Sequence, residues 1–159
     1  MRKLFGCALA VSLSLLPTIV SAPAAIASTP AVQAVIKQEC DTALGEVGRL
    51  LLPGRQLDVT DVYYSFINDG YRVFPAERPG AMNIVIDGED ANAVMRSPQL
   101  LTTVARAFIE GCRPVGLVTF GFPASDWTNS FGLINGRVQP FQCVEPGEAA
   151  PTWGFEYCF

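Results

Sequence analysis

The chain has 159 residues, with 11 basic and 15 acidic side chains, a net charge of −4 and no histidine. That length suits one domain. The absence of histidine removes His-based Ser and Cys nucleophile triads, His metal ligands and imidazole acid–base work at neutral pH. An acidic chain also lacks the electrostatic footprint for nucleic acid or anionic lipid headgroups.

The first 27 residues read as a removable signal peptide. Arg2 and Lys3 form a basic start, Leu4 to Val20 is an apolar run broken by Pro17, and Ala25-Ile26-Ala27 is an A-x-A cleavage site before Ser28. Cys7 lies near the start of the apolar run and not after it, so lipidation is not expected. Arg2 and Lys3 are the leader's only charges, so its removal takes the net charge from −4 to −6. The mature chain, 28–159, is expected to be a single α+β domain with no membrane span, periplasmic or extracellular.

From Pro30 the sequence predicts a helix. Thr29 would cap it and Pro30 would take the first helical position, where its missing N–H costs nothing. Val32, Ile36, Cys40, Ala43, Val47 and Leu50 make one apolar stripe. Gly45 and Gly48 weaken the helix or mark a close approach to the sheet. Pro53-Gly54 ends it. Leu57 to Asn68 reads as a strand, and Asp69-Gly70 as a hairpin turn into a strand from Tyr71 to Phe74. Pro75 to Gly80 is a loop, Ala81 to Ile86 a short strand, and Glu89 to Arg96 a helical turn capped by Asp90. Ser97-Pro98 opens a second long helix with Leu100, Leu101, Val104, Phe108 and Cys112 on one face; Gly111 stops it and Pro114 keeps it stopped.

Val115 to Val144 reads as a three-strand antiparallel meander. Asn135-Gly136 fits a two-residue type I′ turn, in which both residues need φ > 0. The turn sets the register: Ile134 opposite Arg137, Leu133 opposite Val138, Phe131 opposite Pro140 and Trp127 opposite Val144. Leu133, Phe131, Trp127, Val138 and Val144 would then share the core face. Ser130, Thr128, Arg137 and Gln139 would share a mostly wet face, with Phe141 and Cys143. After a Pro/Gly-rich loop, Trp153 to Phe159 alternates like an edge strand with its four aromatics on one side. The expected fold is an antiparallel sheet of about five or six strands with two helices packed on one face. The strand at Ala81, the helix after it and the strand at Val115 form one β-α-β passage.

Four cysteines, Cys40, Cys112, Cys143 and Cys158, follow the leader. An even count in an exported chain predicts two disulfides. Four cysteines allow three pairings. Cys40 and Cys112 lie on apolar helix stripes, and Cys143 and Cys158 flank the last loop, which favours Cys40–Cys112 and Cys143–Cys158. With no histidine and no Cys-x-x-Cys, neither a metal site nor a cofactor is expected.

Ser97-Pro98-Gln99-Leu100, Gly111-Cys112, Val118-Thr119-Phe120-Gly121, Asp126-Trp127, Val138-Gln139-Pro140-Phe141-Gln142-Cys143 and Trp153-Gly154 resemble a group of small secreted proteins of the cyanobacterial type. The likeness covers roughly the second half of the chain. It implies a compartment and no catalytic residue.

Glycine-rich phosphate cradles are missing, and disulfides would consume the mature thiols. The remaining chemistry is carboxylate chemistry. Asp58 and Asp61 precede or begin a strand, and Asp87, Glu89 and Asp90 surround a strand-to-helix turn, where turn and cap geometry explains them as well as an active site would. Asp126, Trp127 and Asn129 are the candidate ligand-binding group: an indole beside hydrogen-bonding side chains can stack a sugar ring or meet a protein partner. The expected function is a non-catalytic binding domain for a protein or glycan. The runner-up is a carboxylate-dependent hydrolase of polysaccharide or peptidoglycan.

Overall fold

The computed structural model describes residues 30–67, 70–147 and 150–157; within the first helix, side chains are described at position 38 and from Cys40 on. The signal peptide, Thr29, Val32, Ile36, Asp69, Cys158 and Phe159 as singled out above therefore lie outside the described residues or side chains.

The chain runs α1 (Pro30–Leu51), β1 (Asp58–Phe66), β2 (Gly80–Asp87), α2 (Ala91–Met95), α3 (Pro98–Gly111), β3 (Val115–Gly121), β4 (Thr128–Ile134), β5 (Arg137–Pro140), β6 (Gln142–Val144) and β7 (Phe155–Tyr157). The first five strands form one sheet in sequence order, β1-β2-β3-β4-β5. It is mixed and not antiparallel throughout. β2 and β3 pair in parallel because the connection between them carries α2 and α3, long enough to return the chain to the same end of the sheet. The other three pairs are antiparallel. β6 and β7 form a separate parallel pair.

The Asn135-Gly136 turn is as expected. Asn135 has φ 51° and Gly136 φ 76°. Ile134 pairs with Arg137, Leu133 with Val138 and Phe131 with Pro140. β5 ends on Pro140, the Phe141 N–H makes one further bond to the Ser130 carbonyl at 2.8 Å, and Val144 then goes to β6 opposite Tyr157 in place of Trp127.

Side chains from α1, α2, α3 and the inner face of the sheet form one buried cluster. Leu51, Ile84, Ile86, Leu101, Val104, Phe108 and Phe120 are almost fully enclosed. Phe120 meets Phe131 edge-on, with ring centroids 5.8 Å apart. Cys40 on α1 is bonded to Cys112 just past α3, with Cα atoms 4.7 Å apart. Gly111 matters here through its size, because a Cβ added to it would sit 3.1 Å from the Ala43 Cβ. Its lack of a side chain lets the two helices approach where the disulfide closes. Gly45 and Gly48 show no comparable approach to the sheet.

The last carbonyls of both long helices meet arginine. Arg55 Nη1 donates to the carbonyls of Leu50 and Leu51 at 3.2 and 2.8 Å, and Arg78 Nη1 to those of Ile109 and Val115 at 2.6 and 3.3 Å. Cationic donors are favourable at helix C-termini. Asp90 holds the N-cap position of α2, but its side chain makes no cap bond to the helix. Its Oδ2 accepts the Gln56 N–H at 2.8 Å, which ties the end of the α1–β1 connection to the β2–α2 turn.

Two segments correct the sequence reading of the outer face. Tyr71 to Phe74 is no strand; β1 pairs instead with β2, and Tyr71 and Phe74 pack over the sheet. Trp153 precedes β7 and turns at Gly154, φ 93°, to lie against Phe141 and Tyr71. Ile67, Ala81, Leu117 and Phe141 are buried in this second cluster. The face read as mostly wet is covered in part: segments distant in sequence bury Ser130 and Phe141, while Thr128, Arg137 and Gln139 are exposed as expected.

Candidate functional site

Trp127 lies one residue before β4 and is 42 % exposed, so it is not a core residue. Its ring meets Phe122 at the end of β3, with centroids 5.2 Å apart and planes at 63°. Phe122 is itself packed against the main core, so it seats the indole at the rim. The Trp127 N–H donates to Ser125 Oγ at 3.1 Å and shapes the turn that presents it. Asp126 is exposed in the same turn. Asn129 is drawn inward: its Nδ2 donates to the Met95 carbonyl at 3.1 Å and approaches Met95 Sδ at 3.8 Å. The turn therefore shows Asp126 and Trp127 to solvent, while the amide of Asn129 ties β4 to the end of α2.

The carboxylates read from the sequence do not converge into a cleft. Asp58 stands opposite Asp87 across the β1–β2 ladder, and both are exposed. Asp87 Oδ1 accepts the Gly88 N–H at 2.7 Å, the turn role expected of it. Asp61 and Glu89 are exposed. Among the described residues no group of three or more Cys, Asp or Glu is placed to hold a metal ion.

The site that sequence reasoning missed is on the outer face. The sequence expects Trp153 to Phe159 to be an edge strand with its four aromatics on one side, and β7 covers only Phe155–Tyr157 of it. Phe155 is 37 % exposed and Glu156 between the aromatics is 9 % exposed. Glu156 Oε1 accepts the Ser130 N–H of β4 at 3.4 Å. Just past β5 the Phe141 N–H donates to the Ser130 carbonyl at 2.8 Å, while the Ser130 N–H is taken by the carboxylate. Ser130 Oγ is 3.2 Å from Thr119 Oγ1 across the β3–β4 pair. These groups open on a cleft of about 430 Å³, walled by Tyr71, Thr128 and Tyr157.

Burial raises the pKa of Glu156 above its ordinary value of 4.5, while hydrogen bonds from Ser130 oppose the shift. Tyr71 is pushed up to about 12, first by burial and then by the negative charge of Glu156 beside it. One feature of the sequence could have pointed here: Glu156 is the only charged residue between Trp153 and Phe159, set between Phe155 and Tyr157.

Among the described residues no helix is long and apolar enough to cross a membrane. No family model, curated protein or solved structure matches the chain.

Proposed function

We propose that the chain is an exported, non-catalytic binding domain that meets a protein or glycan ligand through the Asp126-Trp127 turn, with Asn129 holding the turn in place. The observation that carries this reading is the exposure of Trp127 on an aromatic seat, Phe122. A large indole held half in solvent at the rim of a domain supplies contact area at little entropic cost. Cleavage before Ser28, a periplasmic or extracellular home, the likeness to secreted proteins of the cyanobacterial type, two helices on one face of the sheet and a second bridge at Cys143–Cys158 belong to the same reading. The Cys40–Cys112 bond supports it, since such bonds persist in oxidising compartments. N-terminal sequencing of the exported product tests the leader, and a retained Met1 would refute it.

The functional test uses the mature protein and its Trp127→Ala variant as paired baits in the native compartment, with proteins and glycans both identified in the eluates. A ligand captured by the parent and lost from an equally folded variant supports the reading. Identical captures overturn it. The carboxylate-dependent hydrolase remains the second reading, favoured by one observation: Glu156 is an acid buried in a cleft with a raised pKa. Hydrolysis of polysaccharide or peptidoglycan needs a second carboxylate, and none lines that cleft among the described residues. Release of reducing ends by the parent and not by Glu156→Gln would decide for the hydrolase.

A further inference from the structure

We propose that the free edge of β1 is a docking strand, and that it takes an extended segment of a partner protein with basic side chains on one face and apolar side chains on the other. β1 lies at one side of the five-stranded sheet. Among the described residues only β2 bonds to it, and no backbone bond from a turn or loop reaches its other side. None of its nine residues is buried, whereas β2 and β3 are mostly buried. An antiparallel edge leaves alternate N–H and C=O groups pointing outward, and an added strand satisfies them as a ladder.

A bulge in β1 sets the charge of the partner. Asp58 stands opposite Asp87 and Asp61 opposite Val85, with Thr60 left over between Val59 and Asp61. Asp87 and Val85 are two apart on β2 and share a face, so the bulge aligns Asp58 and Asp61 on that same face. Tyr63 opposite Asn83 and Ser65 opposite Ala81 continue the column, and Asn83 Nδ2 donates to Ser65 Oγ at 3.0 Å. Ile84 and Ile86 point the other way, into the main core, so the column lies on the outer face.

Asp58, Asp61 and Asp87 are exposed, and none makes an ion pair among the described residues. Like charges directly opposite each other are unfavourable, and β1 itself holds no lysine or arginine. A second copy of this edge would bring only more acid. A strand with bases at alternate positions sets them beside the aspartates and beside the ring of Tyr63, which is 50 % exposed and attracts cations. On its other face that strand meets Val62, Tyr64 and Phe66, all at least partly exposed, so the residues between its bases are apolar. The edge is separate from the Trp127 turn, because β2 and β3 lie between β1 and β4.

The test is fluorescence anisotropy of a labelled, end-blocked peptide of alternating lysine and valine, about eight residues long as an ordinary strand is, titrated with the mature, disulfide-bonded protein. The controls are a glutamate–valine peptide of the same length and the lysine–valine peptide N-methylated at every amide, which keeps its charge and cannot form a ladder. Saturable binding of the lysine–valine peptide is expected, weaker by about tenfold or more for both controls. Replacing the exposed Asp58 and Asp61 together by asparagine should weaken it by a similar factor, and Trp127→Ala should leave it unchanged. Amide exchange locates the contact: amides between Asp61 and Phe66 should slow when the peptide binds. The proposal is overturned by no saturable binding, by equal binding of either control, by undiminished binding in the double asparagine variant, by loss of binding in Trp127→Ala, or by unchanged exchange along β1. Sedimentation as a dimer with the β1 amides protected before peptide is added would assign the edge to a second copy and overturn it as well.

Discussion

Gly132→Ala adds a single methyl group to the outer face of β4, and the structure sets its cost. The new carbon would lie 2.5 Å from Phe141 Cε1 and 2.8 Å from Trp153 Cζ2. Neither ring can yield freely. Phe141 is 7 % exposed and in edge contact with both Tyr71 and Trp153. Trp153 is pinned by its indole N–H, which donates to the Leu133 carbonyl at 3.0 Å. Overpacking a filled site costs roughly 1–3 kcal/mol, and loss of the indole bond about 1 kcal/mol. Alanine recovers about 0.5–1 kcal/mol of backbone entropy. The net expectation is destabilisation by about 2 kcal/mol. Gly45→Ala provides the opposite sign from the same chemistry. It lies in α1, nothing stands within 4 Å of the added carbon, and alanine should stabilise by about 1 kcal/mol. With a urea slope of roughly 2 kcal/mol per molar, the midpoints should move about 1 M down and about 0.5 M up. A Gly132→Ala protein as stable as the parent would mean that the rings of Phe141 and Trp153 do not rest on β4.

Gly136→Ala should destabilise by about 1 kcal/mol or more, since φ 76° strains any residue with a Cβ; an unchanged denaturant midpoint would contradict it. Trp127→Ala should cost about 1–2 kcal/mol, well under the 3–5 kcal/mol of a buried aromatic. Iodide should quench Trp127 strongly once Trp153 is replaced by phenylalanine. Glu156 gives a pH signature. Its folded pKa is raised, so its contribution to stability is fully present below the ordinary value of 4.5 and is lost as pH rises through the raised value. Glu156→Gln should therefore gain on the parent across that window in paired melting curves; a constant difference would contradict the assignment. Tyr71, the titratable neighbour, does not ionise until about 12. Replacing Cys40 and Cys112 together by alanine removes a cross-link between residues 72 apart, which the chain-entropy model values at about 4 kcal/mol. Urea unfolding of the double variant and the parent measures that loss.

The inner half of this fold was legible because its signals are local. Asn135-Gly136 admits one tight turn, and the three pairs nearest it follow. Cys40 and Cys112 each sit on an apolar helical stripe, so their meeting could be inferred from two separate helices. The outer half was not legible, because its partners are distant in sequence. Tyr71 and Phe74 have the composition of a strand, yet they serve as cover for a sheet face that looks polar when β4 is read alone. Ser130 reads as solvent-facing until Glu156, 26 residues later, arrives as its acceptor. The core placing of Trp127 extends a good register past Pro140, but after Phe141 the chain leaves β4 and pairs with β7. For the same reason the acids easiest to see, Asp87 and Glu89, are exposed turn residues, while the buried one, Glu156, is set between aromatics in the sequence.

The disulfide between α1 and α3 also sets an order of events during synthesis. Cys40 leaves the ribosome 72 residues before Cys112. At ordinary elongation rates that is a wait on the order of 4 to 14 s. In that interval the residues of β1, β2, α2 and the whole of α3 emerge, while Cys40 has no native partner to bond. The native bond thus closes only on a chain whose parallel strand crossover is nearly complete. Any earlier oxidation of Cys40 is non-native and must be undone before α1 can dock.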